Sequence, residues 1–175
     1  PAADHGVVEI AQALIKKDKF ELMLEKATEL GVAAIIPTAF SRCVVKIDPA
    51  DEPRKLERFK AIVKEAAEQS HRTTLPVIHP VTALEELPFA DYDRVYVCYE
   101  ASTPADQLVK VVRPEDLEKR LLFIIGPEGG IAPAELAELT GRGAVVCGLG
   151  SRILRSETAS MYLLSAIDAM KAGRS

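Results

Sequence analysis

Two short glycine-rich segments in the second half of the 175-residue chain carry residue types suited to ligand binding. The first, Gly126-Pro127-Glu128-Gly129-Gly130, directly follows an apolar run at 121–125. Three glycines among five residues let a backbone bend sharply or approach a ligand closely. The segment has neither the GxGxxG spacing nor the GK[ST] ending of the common phosphate-binding loops. Its composition indicates either a ligand-binding loop or a tight turn between a strand and a helix.

The second segment, residues 148–155, combines glycines with two cations. Arg152 and Arg155 follow the glycines, and a helical pattern begins directly afterwards, with Ser156 as its predicted N-cap. Positive side chains gain nothing from the positive pole of a helix dipole. An anion, a carboxylate such as Glu128 or a nucleic-acid phosphate should therefore hold the two arginines. A structural salt bridge is the alternative.

A third polar segment, Glu68-Gln69-Ser70-His71-Arg72, lies at the end of a predicted helix. It contains more polar residues than a turn needs before the next apolar run. One interpretation is a helix end that places cations near the negative pole of its dipole. The other is a loop that contacts a substrate. The residues alone leave both open.

Several other chemistries lack the residues they need. The three cysteines, Cys43, Cys98 and Cys147, are widely spaced with no CxxC or HxxxH pair, which indicates reduced core residues in a cytoplasmic protein and no metal site. There is neither a nucleophile elbow nor a close carboxylate pair. The formal net charge of −4 argues against purely electrostatic nucleic-acid binding. No apolar run approaches the ~20 residues that span a bilayer, so we expect no membrane partner.

Strands and helices alternate along the chain and must position these segments. Short apolar runs predict strands, and apolar residues spaced i, i+3, i+4, i+7 predict helices. The predicted strands are 7–13, 32–36 (stopped by Pro37), 75–78, 94–99, 121–126 and 144–147, with a further short strand within 40–47. The predicted helices are 18–30, about 53–68, 103–112, 133–140 and a last helix after Ser156. This order predicts one α/β domain with a mainly parallel sheet of five or six strands, whose carboxyl ends form the ligand-binding edge.

Three motifs occur together in the order known from one enzyme family. They are Glu68-Gln69-Ser70-x-Arg72, Gly126-Pro127-Glu128-Gly129-Gly130, and Leu149-Gly150-x-Arg152-Ile153-Leu154-Arg155-x-Glu157-Thr158-Ala159, and residues 16–31 also fit. With these motifs the chain resembles the RsmE family over almost its whole length. Members of that family are SPOUT-class enzymes that methylate N3 of a uridine near the decoding site of bacterial 16S rRNA.

The resemblance implies a SPOUT-type α/β knot, in which roughly residues 121–165 form a C-terminal trefoil knot of a kind that is rare in proteins. Residues 1–175 would be a single methyltransferase domain, working as a homodimer in the cytoplasm on 16S rRNA within the small ribosomal subunit. The family also has an N-terminal PUA-like RNA-binding domain. We find no segment for it here and expect weakened RNA affinity. Ile131-Ala132 depart from the family's usual Phe or Leu followed by Ser or Thr.

The resemblance also implies roles for individual residues, with S-adenosylmethionine bent in the knot and no metal. Cofactor contacts would come from Tyr99, Glu100, Gly126, Pro127, Glu128, Gly129, Gly130, Leu149, Gly150, Arg152, Ile153, Leu154, Thr158 and Ala159. Substrate contacts would come from Gln69, Ser70, Arg72 and Arg155. We assign Arg155 or Arg72 to the negative charge that develops on the uracil oxygens. Glu128 would orient an arginine or take the N3 proton, because the pKa of arginine is too high for a base.

Two other functions remain open. Another SPOUT enzyme, such as a ribose 2′-O-methyltransferase acting on tRNA, would share the knot but should not carry 68–70 together with this second loop. A non-enzymatic domain that binds a nucleotide or RNA would not bind S-adenosylmethionine. Calorimetry with S-adenosylmethionine distinguishes the non-enzymatic domain from a methyltransferase. Mapping of the methylated base distinguishes another SPOUT enzyme from a member of the RsmE family.

Overall fold

Seven parallel strands form one sheet in the computed structural model, which describes residues 6–174. The strands are β1 (Val7–Ala13), β2 (Ala34–Ala39), β3 (Val77–Ile78), β4 (Thr82–Ala83), β5 (Arg94–Cys98), β6 (Arg120–Ile125) and β7 (Val145–Cys147). Their spatial order is β3-β2-β1-β6-β5-β7, and β4 also pairs with β2. Every pairing is parallel, which confirms the predicted α/β class with a mainly parallel sheet. All carboxyl ends therefore lie at one edge of the sheet.

The sheet has more strands than expected because β4 is only two residues long, too short to show a period in the sequence. Residues 40–47 are irregular, so the further strand predicted there is wrong. The predicted stop at Pro37 is also wrong, since β2 continues through it. On the side away from β1, β3 pairs with 34–35 and β4 with 38–39. Pro37 lies in the gap between them, where no neighbouring strand needs the amide donor that proline lacks.

Residues 6–174 contain five α-helices, of which four connect strands and the last follows β7. They are α1 (Lys17–Glu29), α2 (Glu52–Gln69), α3 (Leu108–Val111), α4 (Pro133–Gly141) and α5 (Ser156–Ala172). Four of them match the predictions closely, but the predicted helix 103–112 is a 3₁₀ turn, Pro104–Asp106, followed by the short α3. Gln107 between them is extended, because it bridges to Gly148 beside β7. No helix within residues 6–174 is long and apolar enough to cross a membrane.

The core is centred on β6 and its neighbours. Every residue from Leu121 to Ile125 is at most 2% exposed, as expected for a strand covered on both faces. The ring of Tyr96 on β5 stacks on Phe123 at a centroid distance of 4.7 Å. On one side of the sheet, α1 packs against α2 and α5, and α5 also contacts β1 and β6. The buried strands thus provide a rigid base for the loops at their carboxyl ends.

Candidate functional site

A cleft of about 430 Å³ opens at the carboxyl edge of the sheet. Its walls are residues 98–100 at the end of β5, residues 125–131 at the end of β6, and most of residues 149–156 from the loop after β7 to the start of α5. Arg42 from the loop between β2 and α2, and Ala159 from α5, complete the lining. Open α/β sheets bind their ligands in this position, outside the carboxyl ends of the strands.

The turn after β6 is so tight that residue 126 has no room for a side chain. A Cβ atom on Gly126 would lie 2.6 Å from Cγ1 of Ile131, which is buried in the core. Gly130 adopts a φ of 79°, in the left-handed region that favours glycine. Its N–H donates to the carbonyl oxygen of Pro127 at 2.9 Å. Backbone groups therefore form much of this wall of the cleft.

Hydrogen bonds hold the loop after β7 against residues 106–108, which lead into α3. The N–H of Gly148 donates to the carbonyl oxygen of Asp106 at 2.8 Å, and its own carbonyl accepts from the N–H of Leu108 at 3.0 Å. The side-chain oxygen of Gln107 accepts from the N–H of Gly150 at 2.8 Å. A Cβ atom on Gly148 would overlap both Ser102 Oγ and Gln107 Nε2, so a larger residue would displace these side chains. The second wall is thus held in place by two backbone hydrogen bonds and one bond to the Gln107 side chain.

A buried chain of hydrogen bonds joins the two walls to β1 and α5. Ser160 Oγ donates to Gln12 Oε1 at 2.5 Å, Gln12 Nε2 donates to Ser156 Oγ at 2.7 Å, and Ser156 Oγ donates to the carbonyl oxygen of Gly126 at 2.7 Å. Gln12 and Ser160 are fully buried. The predicted N-cap role of Ser156 is wrong. The helix begins at Ser156 with Arg155 as the N-cap residue, because the serine hydroxyl bonds across to Gly126 instead.

Charged side chains lie around the mouth of the cleft. Arg42, Arg152 and Arg155 are exposed there, together with Glu100 and Glu128. Within residues 6–174, neither Arg152 nor Arg155 forms an ion pair with a carboxylate, so the structural salt bridge considered from the sequence finds no support. Unpaired guanidinium groups beside a cleft are suited to binding an anionic or carbonyl-rich ligand.

The thiol at the floor of the cleft is a poor nucleophile. Cys98 lies at the end of β5, in register with Cys147 on β7. A hydrogen bond with Cys147 and burial together raise the pKa of Cys98 well above its ordinary value. A thiol that stays protonated is unreactive, since the thiolate is the nucleophilic form. The site therefore lacks the activated cysteine that covalent chemistry on a substrate would need.

The structure brings most of the predicted site residues together. Thirteen of the fourteen predicted cofactor residues line the cleft: Tyr99, Glu100, Gly126, Pro127, Glu128, Gly129, Gly130, Leu149, Gly150, Arg152, Ile153, Leu154 and Ala159. Arg155 lines it as well. Thr158 does not line the cleft and is exposed to solvent on the first turn of α5. Their roles toward a cofactor or substrate stay predictions.

The predicted substrate residues Gln69, Ser70 and Arg72 lie elsewhere in this chain. The guanidinium of Arg72 donates to the carbonyl oxygens of Thr28 and Val32, each at 2.9 Å. Val32 precedes β2, so Arg72 lies at the amino edge of the sheet, opposite the cleft. Burial lowers the pKa of Arg72 from its ordinary value. Within one chain, Arg72 and Arg155 therefore lie at opposite edges of the sheet.

Five lining residues were not predicted as site residues from the sequence: Arg42, Cys98, Ile125, Ile131 and Ser156. The last four are neighbours of predicted residues, so a wider window around each motif would have included them. Arg42 had no such signal, because it belongs to the irregular segment 40–47. Its contact with the glycine turn joins residues 87 positions apart.

A second cavity, of about 440 Å³, lies between α1, α2 and the loop that follows β2. Its floor is apolar and includes Leu14, Ile15, Phe20 and Phe59. It shares no residue with the glycine-rich loops and holds none of the predicted site residues. The cleft at the carboxyl edge is therefore the better candidate for chemistry.

Known proteins identify the class to which this fold and cleft belong. The model of the family described as RNA methyltransferase domain matches residues 3–168, and the chain belongs to that family. Its relatives include Ribosomal RNA small subunit methyltransferase E of Bacillus subtilis (strain 168), 43% identical over 165 residues, and the protein of that name from Mycobacterium tuberculosis (strain CDC 1551 / Oshkosh), 37% identical over 166 residues. Each alignment covers 91% of this chain. It covers 64% of the Bacillus subtilis protein and 62% of the Mycobacterium tuberculosis protein. The RsmE resemblance is thereby confirmed, and the chain spans less than two thirds of these relatives.

Solved structures agree with the sequence relatives. One is a Ribosomal RNA small subunit methyltransferase E from Neisseria gonorrhoeae, bound to S-adenosyl methionine, with a TM-score of 0.77 at 30% identity. The match covers 95% of this chain and 65% of that protein's chain. A methyltransferase from Legionella pneumophila, in complex with the bound cofactor SAM, has a TM-score of 0.84 at 31% identity and covers 93% and 66%. A tRNA-modifying enzyme from A. aeolicus, at 14% identity and a TM-score of 0.57, shares the fold alone.

Proposed function

We propose that this domain binds S-adenosylmethionine in the cleft and transfers its methyl group to N3 of a uridine in 16S rRNA. The observation that carries the proposal is the meeting of the two glycine-rich loops around one cleft, joined by the bond from Ser156 to Gly126. The relatives' names and the two neighbours solved with the cofactor support the same function.

The residues of the cleft fit this cofactor. Its volume, about 430 Å³, lies in the range of small-molecule sites. Leu149, Ile153 and Leu154 offer apolar surface for an adenine ring, and the tight turn at 126–130 offers backbone donors and acceptors for polar groups. Glu100 and Glu128 supply negative charge near the positive sulfonium. We assign Tyr99 and Arg152, which line the same walls, to cofactor contacts as well.

The chemistry needs few groups from the protein. When bound, the cofactor supplies an electrophilic methyl group. Uracil N3 is a weak acid and becomes a useful nucleophile only as its proton leaves. We assign Arg155 to the negative charge that then develops on the uracil oxygens, and Glu128 to the proton or to orienting an arginine. Holding N3 in line with the methyl group provides much of the remaining rate enhancement.

We further propose that two copies form a homodimer next to the cleft, acting on rRNA in the cytoplasm. Ile153, in the cleft loop, is 81% exposed, and Tyr162, on α5, is 43% exposed. Large apolar side chains left exposed beside a functional cleft favour a protein interface. The knot proposed for 121–165 would join the two cleft loops in the same region. Sedimentation of the Tyr162→Asp variant tests the interface, because a charge placed there should produce monomers.

Incubation of the chain with labelled S-adenosylmethionine and small ribosomal subunits that lack the modification tests the activity. The proposal expects label in 16S rRNA, released by digestion as 3-methyluridine. Calorimetry with the cofactor alone provides the binding readout. Label on ribose or in tRNA would favour another SPOUT methyltransferase. A chain that binds no cofactor would favour a non-enzymatic RNA-binding domain.

A further inference from the structure

Arg42 packs directly against the glycine turn of the cleft although it comes from a different part of the chain. Its Cβ atom and its carbonyl oxygen would each lie 3.6 Å from a Cβ atom placed on Gly129. Its guanidinium Nη1 donates to the carbonyl oxygen of Gly129 at 3.3 Å. The side chain therefore extends along the turn and lies on the lining of the cleft.

The loop that carries Arg42 is anchored on both sides of it. The N–H and Oγ of Ser41 donate to the two carboxylate oxygens of Glu135, in the first turn of α4, at 2.9 and 2.8 Å. Phe40 and Cys43 are buried, at 5% and 6% exposure. Burial raises the pKa of the Cys43 thiol, and the charges of Glu128 and Glu135 add to that effect. The anchored loop gives Arg42 a defined position against Gly129 of the glycine turn.

Most of the donors of Arg42 are left for a ligand. Within residues 6–174, its side chain makes only the hydrogen bond to Gly129, and it forms no ion pair. A guanidinium has five N–H donors in a fixed planar arrangement. Arg72 differs, because two backbone carbonyls already occupy it at the opposite edge of the sheet. Arg42 thus offers in the cleft the cation that the sequence motifs had assigned to Arg72.

We propose that Arg42 contacts the target base and donates a hydrogen bond to a uracil oxygen beside N3 as negative charge develops there, an inference that rests on the proposed function. In the transfer, the N3–H bond breaks, its electron pair forms the new bond to the methyl carbon, and the electron pair of the S–CH₃ bond stays on sulfur. The proton passes to Glu128 or to water. A donor fixed before the reaction stabilises this charge without reorganisation, which is the most effective use of such a group.

The test compares uridine with 5-fluorouridine at the target position of an RNA, because the fluorinated base has a more acidic N3. Arg42→Ala should lower kcat on uridine RNA on the order of 10- to 100-fold. It should lower kcat on the fluorinated RNA by much less, because that base needs less help to lose its proton. The kcat of Arg42→Lys on uridine RNA should lie between those of the wild type and Arg42→Ala. Arg54 is an exposed arginine outside the cleft, so Arg54→Ala should have the kcat of the wild type. Calorimetry should show a cofactor Kd changed by less than about threefold in Arg42→Ala, since the proposed contact is to the base.

A binding measurement without cofactor adds a second readout. Wild-type protein should bind the fluorinated RNA several-fold more tightly at pH 9 than at pH 7, after correction with the matched uridine RNA. Arg42→Ala should lose that preference for the anionic base. Equal losses of kcat on both RNAs, a preserved pH preference in Arg42→Ala, or a loss confined to cofactor binding would each overturn the inference, because Arg42 would then only support the turn. An inactive wild-type chain would instead overturn the proposed function itself.

Discussion

The hydroxyl of Ser156 donates a 2.7 Å hydrogen bond to the carbonyl oxygen of Gly126 and so ties the start of α5 to the turn after β6. Gln12, fully buried on β1, donates to the same hydroxyl at 2.7 Å. Gly126 belongs to one wall of the cleft, and Ser156 ends the other. One partly buried contact therefore sets the spacing of two loops that are separated by a helix and a strand.

Ser156→Ala should lower the free energy of unfolding by about 1–3 kcal/mol, because it leaves the Gly126 carbonyl and one Gln12 donor without their partner. It should also weaken cofactor binding, since the walls lose their fixed spacing. Urea denaturation and calorimetry measure the two effects. Ser151→Ala, an exposed serine in the same loop, is the matched control and should stay within about 0.5 kcal/mol of the wild type. A Ser156→Ala variant as stable as this control would show that the contact is not maintained.

The sequence predicts the parts of the fold in which a long apolar pattern dictates one structure. Residues 7–13 were predicted as a strand with the bounds that β1 has, and α5 follows its apolar face. The errors arise where tertiary contacts decide. Gln107 interrupts a helical pattern because it pairs with Gly148, and Pro37 stays in β2 because the neighbouring strands leave a gap there. Neither partner can be recognised from local residue types.

Gly150 has a φ of 81°, and a Cβ atom there would lie 3.4 Å from the hydroxyl of Tyr162. Gly150→Ala should therefore cost about 1–2 kcal/mol, the penalty of a side chain in the left-handed region. Gly141→Ala is the matched control, because Gly141 ends α4 and has no atom within 4 Å of an added Cβ. That substitution should be neutral or stabilising by up to about 1 kcal/mol. Urea denaturation decides between these outcomes, and equal effects would contradict the strained geometry.

The cleft was predictable because strands of a parallel sheet end at the same edge, so motifs that follow two such strands meet there. The positions of Arg72 and Arg42 relative to the cleft were not predictable in this way. The guanidinium of Arg72 binds carbonyl oxygens in the last turn of α1 and just before β2, which are not part of its own helix α2. Arg42 reaches the cleft through a loop with no periodicity and a contact that spans 87 residues. That Arg42 and not Arg72 meets the cleft depends on tertiary contacts that no motif encodes.

Arg72→Ala should act on stability rather than on cofactor binding. It removes two 2.9 Å hydrogen bonds to the carbonyls of Thr28 and Val32, which lose a charged donor at a partly buried site. A loss of about 2–3 kcal/mol in unfolding free energy is expected, with an unchanged cofactor Kd. Denaturation and calorimetry on the same preparation measure both. A weaker cofactor affinity at unchanged stability would contradict the assignment of Arg72 to the amino edge.

Arg155 and Arg152 lie three positions apart at the cleft, but their substitution should affect different quantities. Loss of Arg155 should lower the rate of methyl transfer, and loss of Arg152 should weaken cofactor binding. Arg155→Ala is expected to lower methyl transfer on the order of 100-fold while cofactor Kd stays nearly constant, since its contact develops with the negative charge. Arg152→Ala is expected to raise the cofactor Kd instead. Single-turnover rates and calorimetry on both variants give the comparison. Loss of cofactor binding in Arg155→Ala would place that side chain on the cofactor and exclude the assigned role.

Asp116, with no exposed surface, should make stability depend on pH in the acid range. Burial alone raises the pKa of this carboxyl, but donors outweigh it: the N–H of Arg113 at 3.0 Å, Lys119 Nζ at 3.1 Å and Arg94 Nε at 3.5 Å. The pKa of Asp116 therefore lies below its ordinary value of about 3.9. A lowered pKa adds stability above the unfolded value, and this stability is lost as pH falls through the folded value.

Asp116→Asn should accordingly be less stable than the wild type by about 1–2 kcal/mol at pH 7, and the gap should close as pH falls below about 4. Urea denaturation between pH 7 and pH 2.5 measures the trend. Asp168→Asn, at an exposed position of α5, serves as the matched control and should follow the wild-type curve throughout. A gap that widens on acidification would require a raised pKa for Asp116 and would contradict the three donor contacts.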